Sequence, residues 1–225
     1  MTSPLPGADA DPATPGTPAV RSTYRHGDLR RVLLEAGIEL ARVGGPDAVV
    51  LREATRRAGV APNAAYRHFA GRDALLQAVR AAALSAVAAA MEADLAAVPA
   101  DLPPADFARA SVRAVGAGYL RFAQAETGLF RTAFARSDVV FEAPPDTPSA
   151  GPGGLNPFEL LGAALDKLVT AGVMPPDRRP GAEFLAWSAV HGLAMLVVDG
   201  PVGPMIGPQL PQIGQRLLDM VEKGL

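Results

Sequence analysis

The chain has 225 residues, of which 49% are hydrophobic and 20% charged, a composition typical of a globular protein of one or two domains. It contains no cysteine, which excludes disulfide bonds and thiolate metal sites and fits a reducing cytoplasm. No uninterrupted apolar run reaches the roughly 18–20 residues of a membrane span, and the N-terminus lacks the pattern of a signal peptide. We therefore expect a cytoplasmic protein without a membrane partner.

The net charge of −2 is unevenly distributed along the chain. Residues 20–75 contain ten Arg/Lys and six Asp/Glu, a local charge of +4. Residues 76–225 contain eleven Arg/Lys and fifteen Asp/Glu, a local charge of −4. A basic N-terminal third indicates that one end of the molecule faces a polyanion, although a chance excess of surface arginine gives the same numbers.

The N-terminal residues predict a tail followed by a helix. Residues 1–22 are rich in Pro, Ala, Gly and Thr, and we expect them to be disordered because they contain too little apolar surface for a core. A helix is predicted from about 27 to 42, where apolar residues recur at helical spacing, namely Leu29, Val32, Leu33, Ala36 and Leu40.

The stretch 48–69, AVVLREATRRAGVAPNAAYRHF, predicts two short helices joined by a tight turn. The first covers 51–58, and Gly59 suits the turn because glycine enters the left-handed backbone conformation without steric cost. Pro62 suits the first turn of the second helix, which we expect to cover 62–69. This is the helix-turn-helix pattern, whose second helix enters the major groove of DNA.

The rest of the chain also predicts helices. One runs from about 72 to 97, roughly 37 Å in length, and we place a domain boundary inside it, near residue 78. Others are predicted within 104–134, with a shorter one beginning at 128, and at 158–171, 180–199 and 208–223, with a loop at 137–157. No segment shows the strict alternation of a half-buried strand. The sequence therefore predicts an all-α protein of about nine helices, divided into a tail (1–22), a helix-turn-helix domain (23–77) and a helical domain (78–225).

Three segments within about 24–80 resemble the DNA-binding domain of the tetracycline-repressor (TetR) family of transcriptional regulators: YRHGDLRRVLLEAG, RRAGVAPNAAYRHF and GRDALL. Residues 119–134, and Trp187 with His191-Gly192, resemble one C-terminal subgroup of that family, the Trp/His-Gly (WHG) subgroup. The resemblance implies a homodimer whose subunits each have a DNA-binding domain and a larger domain that binds a small-molecule effector. Effector binding would move the connecting helix and release the double-stranded DNA operator.

The chain departs from the family pattern at several positions. Val50 stands where Thr or Ser is usual and Ala61 where Ser is usual, so both helices of the pair begin without a capping side chain. Thr55 stands where alanine is common, and Glu126-Thr127 replaces a usual His-Pro. The turn glycine and the phosphate-facing residues remain, so we expect DNA binding to be retained with a less rigid reading helix.

The resemblance assigns Tyr66 and His68 to phosphate contacts, whereas an ordinary surface tyrosine and a capping histidine are the plainer interpretation. Asn63 can pair with adenine, and alanine can pack on a thymine methyl group. For Arg67, phosphate contact and simple solvation are equally open. The predicted DNA-binding set is Arg25, Arg52, Asn63, Ala64, Ala65, Tyr66, Arg67, His68 and Arg72.

Trp187, His191 and Met195 lie four residues apart on one face of a predicted helix, either as the wall of a ligand pocket or as a core or dimer stripe. The aromatic residues of the second domain can line the same pocket or belong to the core. Few charges fall on these faces, so the expected ligand is neutral or mostly apolar. The predicted ligand-binding set is Tyr119, Phe122, Phe130, Phe134, Trp187, His191 and Met195.

Two alternatives to a regulator are considered. An enzyme is disfavoured because the three histidines are far apart in sequence and neither a His-Glu-x-x-His nor a Gly-x-Ser-x-Gly motif occurs, so no metal, cofactor or catalytic residue is predicted. The other alternative is a helical dimeric small-molecule-binding protein with weak or lost DNA binding, which the two missing caps leave open. The amphipathic segments 180–199 and 208–223 suit a four-helix contact between two subunits in either case.

Overall fold

The structure is a computed structural model that describes residues 28–135 and 148–225. All regular structure in these two ranges is helical, so the predicted all-α fold is confirmed. The ten α-helices are α1 (Asp28–Gly44), α2 (Leu51–Ala58), α3 (Pro62–Ala65), α4 (Arg72–Ala96), α5 (Pro104–Ala125), α6 (Thr127–Ala133), α7 (Pro157–Thr170), α8 (Ala182–Val198), α9 (Gly203–Ile206) and α10 (Leu210–Gly224). The predicted tail, Arg25 and most of the predicted loop at 137–157 lie outside the described residues.

The first three helices pack together on the start of α4. Leu33 from α1, Ala54 from α2 and Leu75 from α4 are completely buried, and Phe69 is 3% exposed. The apolar stripe predicted for α1 therefore faces this core. Thr55 is also buried, and its hydroxyl donates to the Arg52 carbonyl at 2.7 Å, so the polar side chain is satisfied within its own helix.

The second helix of the pair is shorter than predicted. It ends at Ala65 rather than Phe69. The N–H groups of His68 and Phe69 both donate to the Ala65 carbonyl at 2.9 Å, so the chain closes in a turn after α3. That turn brings the Phe69 ring into the core, and burial of the ring outweighs continuation of the helix.

α4 is the central helix of the molecule and contacts α1, α5, α6 and α7. By length and composition alone α4 could cross a membrane, as could α8 and the segment Gly203–Gly224 taken together, although these two meet at 102°. In α4, 44% of the most apolar stretch is buried inside the protein. Core helices of soluble proteins have the same length and composition, so these two features alone do not indicate a membrane span.

α6 joins the two halves of the molecule because it packs closely on α1. Gly128 makes this approach possible: a Cβ atom at this position would lie 2.3 Å from the carbonyl oxygens of both Ala41 and Arg42. The Arg42 side chain also donates from Nε to Oε2 of Glu126 at 2.9 Å. The start of α6 is therefore fixed to the end of α1 by backbone packing and by an ion pair.

α5, α7, α8 and α10 build the second half around α4. α7 begins with a complete capping box, in which Asn156 Oδ1 accepts from the N–H of Glu159 at 3.0 Å and Glu159 Oε2 accepts from the N–H of Asn156 at 2.8 Å. Glu222 on α10 accepts from Arg109 at 2.9 Å and Arg113 at 2.5 Å, both on α5. These polar contacts fix the outer helices against the bundle.

Candidate functional site

The turn between α2 and α3 has the geometry that the sequence predicts. Gly59 has φ 67° and ψ 28°, the left-handed conformation, and its N–H donates to the carbonyl of Arg56. The N–H of Val60 donates to the Thr55 carbonyl at 3.1 Å. The end of α2 is therefore closed by backbone hydrogen bonds, and α3 is placed at a defined angle to it.

Neither helix of the pair has a side-chain cap, as expected from Val50 and Ala61. Glu53, which would complete a capping box, instead forms a two-pronged ion pair with Arg56, with contacts of 2.8 Å and 2.7 Å. The Arg56 hydrogen bonds and charge hold the pKa of Glu53 at about 2, well below its ordinary value. This ion pair also means that the Arg56 guanidinium is already engaged on the surface of α2.

The predicted DNA-binding residues fall into three groups by exposure. Asn63, Tyr66 and Arg67 are exposed and together form what we call the recognition face; the Tyr66 side chain is 59% exposed. Ala64 and His68 are half-buried beside this face. Ala65 is completely buried, so the expectation that it faces the groove is corrected: its small side chain packs under α3.

The two remaining arginines of the predicted set that the structure describes lie on α2 and α4. Arg52 is exposed on α2 and has no ion pair within the described part of the chain. Arg72 is exposed at the start of α4, where its Nη2 donates to the Pro46 carbonyl at 3.0 Å. Arg72 thus also ties α4 to the turn between α1 and α2, a role that sequence spacing did not indicate.

Arg30 is a residue near this site that was not singled out from the sequence. Its guanidinium lies over the Phe69 ring, 5.1 Å from the ring centre, which is a cation–π distance. The sequence did not indicate this contact, because Arg30 and Phe69 are brought together only by tertiary packing.

The second candidate site centres on a hydrogen bond between α5 and α8. The Tyr119 hydroxyl lies 2.7 Å from Nδ1 of His191. Burial raises the pKa of Tyr119 and lowers the pKa of His191 relative to their ordinary values. Both groups are therefore favoured in their neutral forms, and the tautomer of the imidazole decides which of the two donates in this hydrogen bond.

Aromatic rings surround this pair. Phe134 lies 4.9 Å from the His191 ring and 6.0 Å from the Trp187 ring, centre to centre. Phe130, which is completely buried, makes an edge contact with Tyr119 at 5.3 Å. Tyr119, Phe130, Phe134 and Trp187 thus form one cluster in space around His191.

A cavity of about 40 Å³ lies between α5, α7, α8 and α10 next to this cluster. Tyr119, Trp187 and His191 line it, and most of the remaining lining is aliphatic. Sites for drug-sized ligands have volumes of roughly 300–1,000 Å³. In this conformation the inner cavity therefore has room for a water-sized group rather than for a whole effector.

The other predicted ligand residues lie around the inner cavity rather than on its wall. Phe122 is buried in the hydrophobic core, and Met195 is partly buried and packs against that core. The cavity lining missed from the sequence includes Met91, Val112, Val115, Leu161, Val190 and Leu218. Val112 and Val115 precede Tyr119 at helical spacing on α5, so the sequence could have placed them on the same face. The positions of the others depend on which helices pack together.

An open cleft of about 560 Å³ lies on the other side of the Trp187 ring. α4, the start of α7 and α8 form its walls, and Trp187 and Pro157 border both the cleft and the inner cavity. We call it the Trp187 cleft. Unlike the inner cavity, it is large enough for a drug-sized molecule in the conformation described.

Comparison with protein families matches both halves of the chain. Residues 33–79 match the model of the bacterial regulatory proteins of the tetR family, and residues 112–221 match that of the tetracyclin repressor-like C-terminal domain. The second match includes Trp187 and His191-Gly192, which carried the second resemblance in the sequence. No match was found among curated proteins.

Solved structures with the same fold include two from Rhodococcus. A protein of unknown function from Rhodococcus sp. RHA1 is 25% identical, with a TM-score of 0.66 over 91% of this chain and 99% of that one. A tetR family regulatory protein from Rhodococcus RHA1 is 18% identical, with a TM-score of 0.53 over 87% of this chain and 95% of that one. The TetR family transcriptional regulator PfmR from Thermus thermophilus is 20% identical, with a TM-score of 0.55 over 86% of this chain and 98% of that one.

Proposed function

The chain belongs to the TetR family of bacterial transcriptional regulators, and we propose that it is a homodimeric repressor that a small, largely apolar effector releases from its operator. It is a DNA-binding regulator and not an enzyme. We place its action in the cytoplasm, where the DNA is. Within this proposal residues 23–77 form the DNA-binding domain, residues 78–225 form the effector and dimerisation domain, and α4 connects them.

The observation that carries the proposal is the turn at Gly59 and the recognition face that it presents. An amide, a phenol and a guanidinium project from one short segment, at Asn63, Tyr66 and Arg67. Phenol and guanidinium groups bind phosphate oxygens, and an amide can read a base edge. Arg52 is exposed on the neighbouring helix and adds positive charge to the motif.

An apolar face on α8 and α10 supports the homodimer. Leu185 and Leu196 on α8 are 66% and 50% exposed, and Met220 on α10 is 59% exposed. Gly192 lies between the two leucines at helical spacing, which allows a close approach of another helix. Two such helices from each of two subunits would bury these side chains in a four-helix contact.

α6 and α4 supply a physical route from the effector to DNA. Phe130 and Phe134 belong to α6 and its end and contact the aromatic cluster around His191, while Gly128 and Glu126 at the start of α6 pack on α1. An effector that displaces the aromatic cluster therefore pushes on α1 as well as on α4. We propose that this changes the separation of the two recognition faces in the dimer.

Gel-shift assays with the DNA upstream of the protein's own coding sequence test the proposal. We expect a shift that weakens as salt is raised, because phosphate contacts release counterions. If no upstream fragment binds even at low salt, the dimer would be a small-molecule-binding protein without a DNA function, as the uncapped α2 and α3 allow. A reporter fused to the bound fragment then separates a repressor, whose removal raises expression, from an activator.

A further inference from the structure

The Trp187 cleft contains one charged group that has no acidic partner among the described residues. Arg80 lies on the wall formed by α4 and is half-buried. Its Nε donates to the carbonyl of Ala133, at the end of α6, at 3.1 Å. Its guanidinium makes no ion pair within residues 28–135 and 148–225. A guanidinium has five N–H donors, so most of its hydrogen-bonding capacity is left for another partner.

The rest of the cleft is mainly apolar and aromatic. Phe158 lies 5.1 Å from Trp187 and 5.5 Å from Phe184, centre to centre, so three rings from α7 and α8 pack together in tilted contacts along one side. Ala81 and Leu84 follow Arg80 on the opposite wall, on α4. A ligand that fills the cleft therefore contacts rings on one side and aliphatic carbon on the other.

The loop that closes one end of the cleft is attached to α4. The Ser85 hydroxyl donates to the Ala150 carbonyl at 2.6 Å, and the N–H of Gly153 donates to the Glu92 carboxylate at 3.1 Å. The capping box of Asn156 fixes the adjoining start of α7. These contacts hold the described residues at this end of the cleft in place without a ligand.

We propose that the Trp187 cleft binds a monocarboxylate with an aromatic or aliphatic body, and that its carboxylate pairs with the guanidinium of Arg80. The fork of N–H groups on arginine matches the two oxygens of a carboxylate. Burial lowers the pKa of Arg80 from its ordinary value, yet arginine keeps its charge in proteins. A bound anion would offset the cost of keeping this unpaired charge half-buried. The inference rests on the proposed function only in naming this carboxylate as the effector.

The charged residues of the cleft favour a ligand with one negative charge over a phosphate dianion. Arg80 is the only cation among the described residues that line it, and Glu159 places a carboxylate at the rim. Glu159 is held by the N–H of Asn156 rather than by Arg80. One arginine can neutralise a carboxylate, whereas a phosphate dianion would meet net repulsion from the rim.

Binding at Arg80 has a direct path to the DNA-binding half. Val79, the residue before Arg80, is completely buried and packs closely on Gly37 of α1. A Cβ atom added at Gly37 would lie only 2.7 Å from the Val79 side chain. The hydrogen bond from Arg80 Nε to the Ala133 carbonyl adds a contact to α6. A carboxylate that draws the guanidinium into the cleft therefore acts on the segment where α4, α6 and α1 meet.

The test uses the full-length protein and a matched pair of probes, 4-phenylbutanoate and its uncharged amide, 4-phenylbutanamide. Trp187 is the only tryptophan of the chain and lines the cleft, so its fluorescence reports occupancy, with calorimetry as a second measurement. We expect the carboxylate to bind at least about tenfold more tightly than the amide, a difference of roughly 1.4 kcal/mol. Equal binding of the two probes, or no binding of either, would overturn the proposal.

Variants identify the residue that recognises the charge. Arg80→Met should bind both probes equally, Arg80→Lys should keep part of the preference, and the exposed Arg178→Met should behave like the wild type. A carboxylate preference that survives in Arg80→Met would contradict the assignment. Thermal unfolding of each variant shows whether it is folded. If Arg80→Met is not folded, Arg80→Lys takes its place: a carboxylate preference smaller than that of Arg178→Met supports the assignment, and an equal preference contradicts it. Because DNA is absent from this assay, its failure leaves the gel-shift result intact, and the converse also holds.

Discussion

Nε of Arg42 donates to Oε2 of Glu126 at 2.9 Å, and this ion pair joins the end of α1 to the start of α6 across the boundary between the two halves of the molecule. Glu126 also stands where the family usually has histidine. The Glu126 hydrogen bond is the main cause that raises the pKa of Arg42 above its ordinary value. The substitution at this position therefore has a partner in the DNA-binding half.

Two variants at the start of α6 should differ in severity. The side chain of Glu126 is 32% exposed, so Glu126→Gln should lower the free energy of unfolding by less than about 1 kcal/mol. Gly128→Ala places a methyl group against two backbone carbonyls that cannot rotate away, and should cost about 1–3 kcal/mol. Urea unfolding of both variants measures this difference, and equal stabilities would mean that α1 and α6 can separate at little cost.

Installing the missing cap of α2 should stabilise the protein. Val50 is extended at φ −122° and ψ 125°, is 42% exposed and is followed three residues later by Glu53. Val50→Thr supplies the absent acceptor and should raise the free energy of unfolding by about 0.5–2 kcal/mol. Val43→Thr makes the same chemical change at an exposed position that caps no helix, so it should leave the unfolding midpoint nearly unchanged.

Stability should fall on acidification because of His191. Its pKa is lowered in the folded protein from 6.5, so below about pH 6.5 the unfolded chain binds this proton more readily than the folded one. The free energy of unfolding should therefore decrease as the pH falls through this value toward the folded pKa. His191→Asn should lose this part of the pH dependence, while His68→Gln should retain it. An unchanged pH profile in His191→Asn would show that the imidazole is not the group responsible.

A separate loss of stability is expected at lower pH from Glu53. Its pKa of about 2 in the folded protein lies below the ordinary 4.5, so its ion pair contributes above about pH 4.5 and is lost as the pH falls toward 2. Because the pair is on the surface, added salt should weaken this contribution. Comparing the free energy of unfolding of Glu53→Gln with that of the wild type across this pH range isolates the contribution of the ion pair.

Residues of the recognition face should separate affinity from specificity. Tyr66→Phe and Arg67→Ala remove groups that we propose contact phosphate, and should weaken all DNA sequences alike, with Arg67→Ala reducing the salt slope by about 0.9. Asn63→Ala should instead change base preference at one position of each half-site. Arg72→Ala should weaken binding and also lower stability, because Arg72 holds the Pro46 carbonyl. Binding selections on random operators distinguish these outcomes.

The sequence predicted local structure well because the decisive signals were local. The end of α2 follows from Gly59, the start of α4 from Gly71, and the start of α5 from Pro103 and Pro104. α3 ends earlier than predicted because burial of Phe69 offsets the cost of ending the helix. This is a tertiary effect that a local pattern does not contain. Periodicity could not show that Ala65 faces inward.

The candidate ligand site was predictable only in part. The spacing of Trp187 and His191 placed them on one face, but the Tyr119 partner of His191 is 72 residues away and depends on how α5 and α8 cross. Arg80 gave no signal at all in the sequence. Its environment exists only where α4, α7 and α8 meet, and no pattern within one helix describes such a cleft.

The central claim is that this molecule reads an operator as a symmetric pair of recognition faces, and fluorescence anisotropy on the labelled upstream fragment tests it most directly. A titration at salt concentrations between about 50 and 200 mM, combined with footprinting, should give an affinity that falls steeply with salt, and two protected half-sites related by two-fold symmetry, roughly 34–36 Å or a multiple apart. A salt-independent affinity, or a single unpaired protected site, would contradict the account.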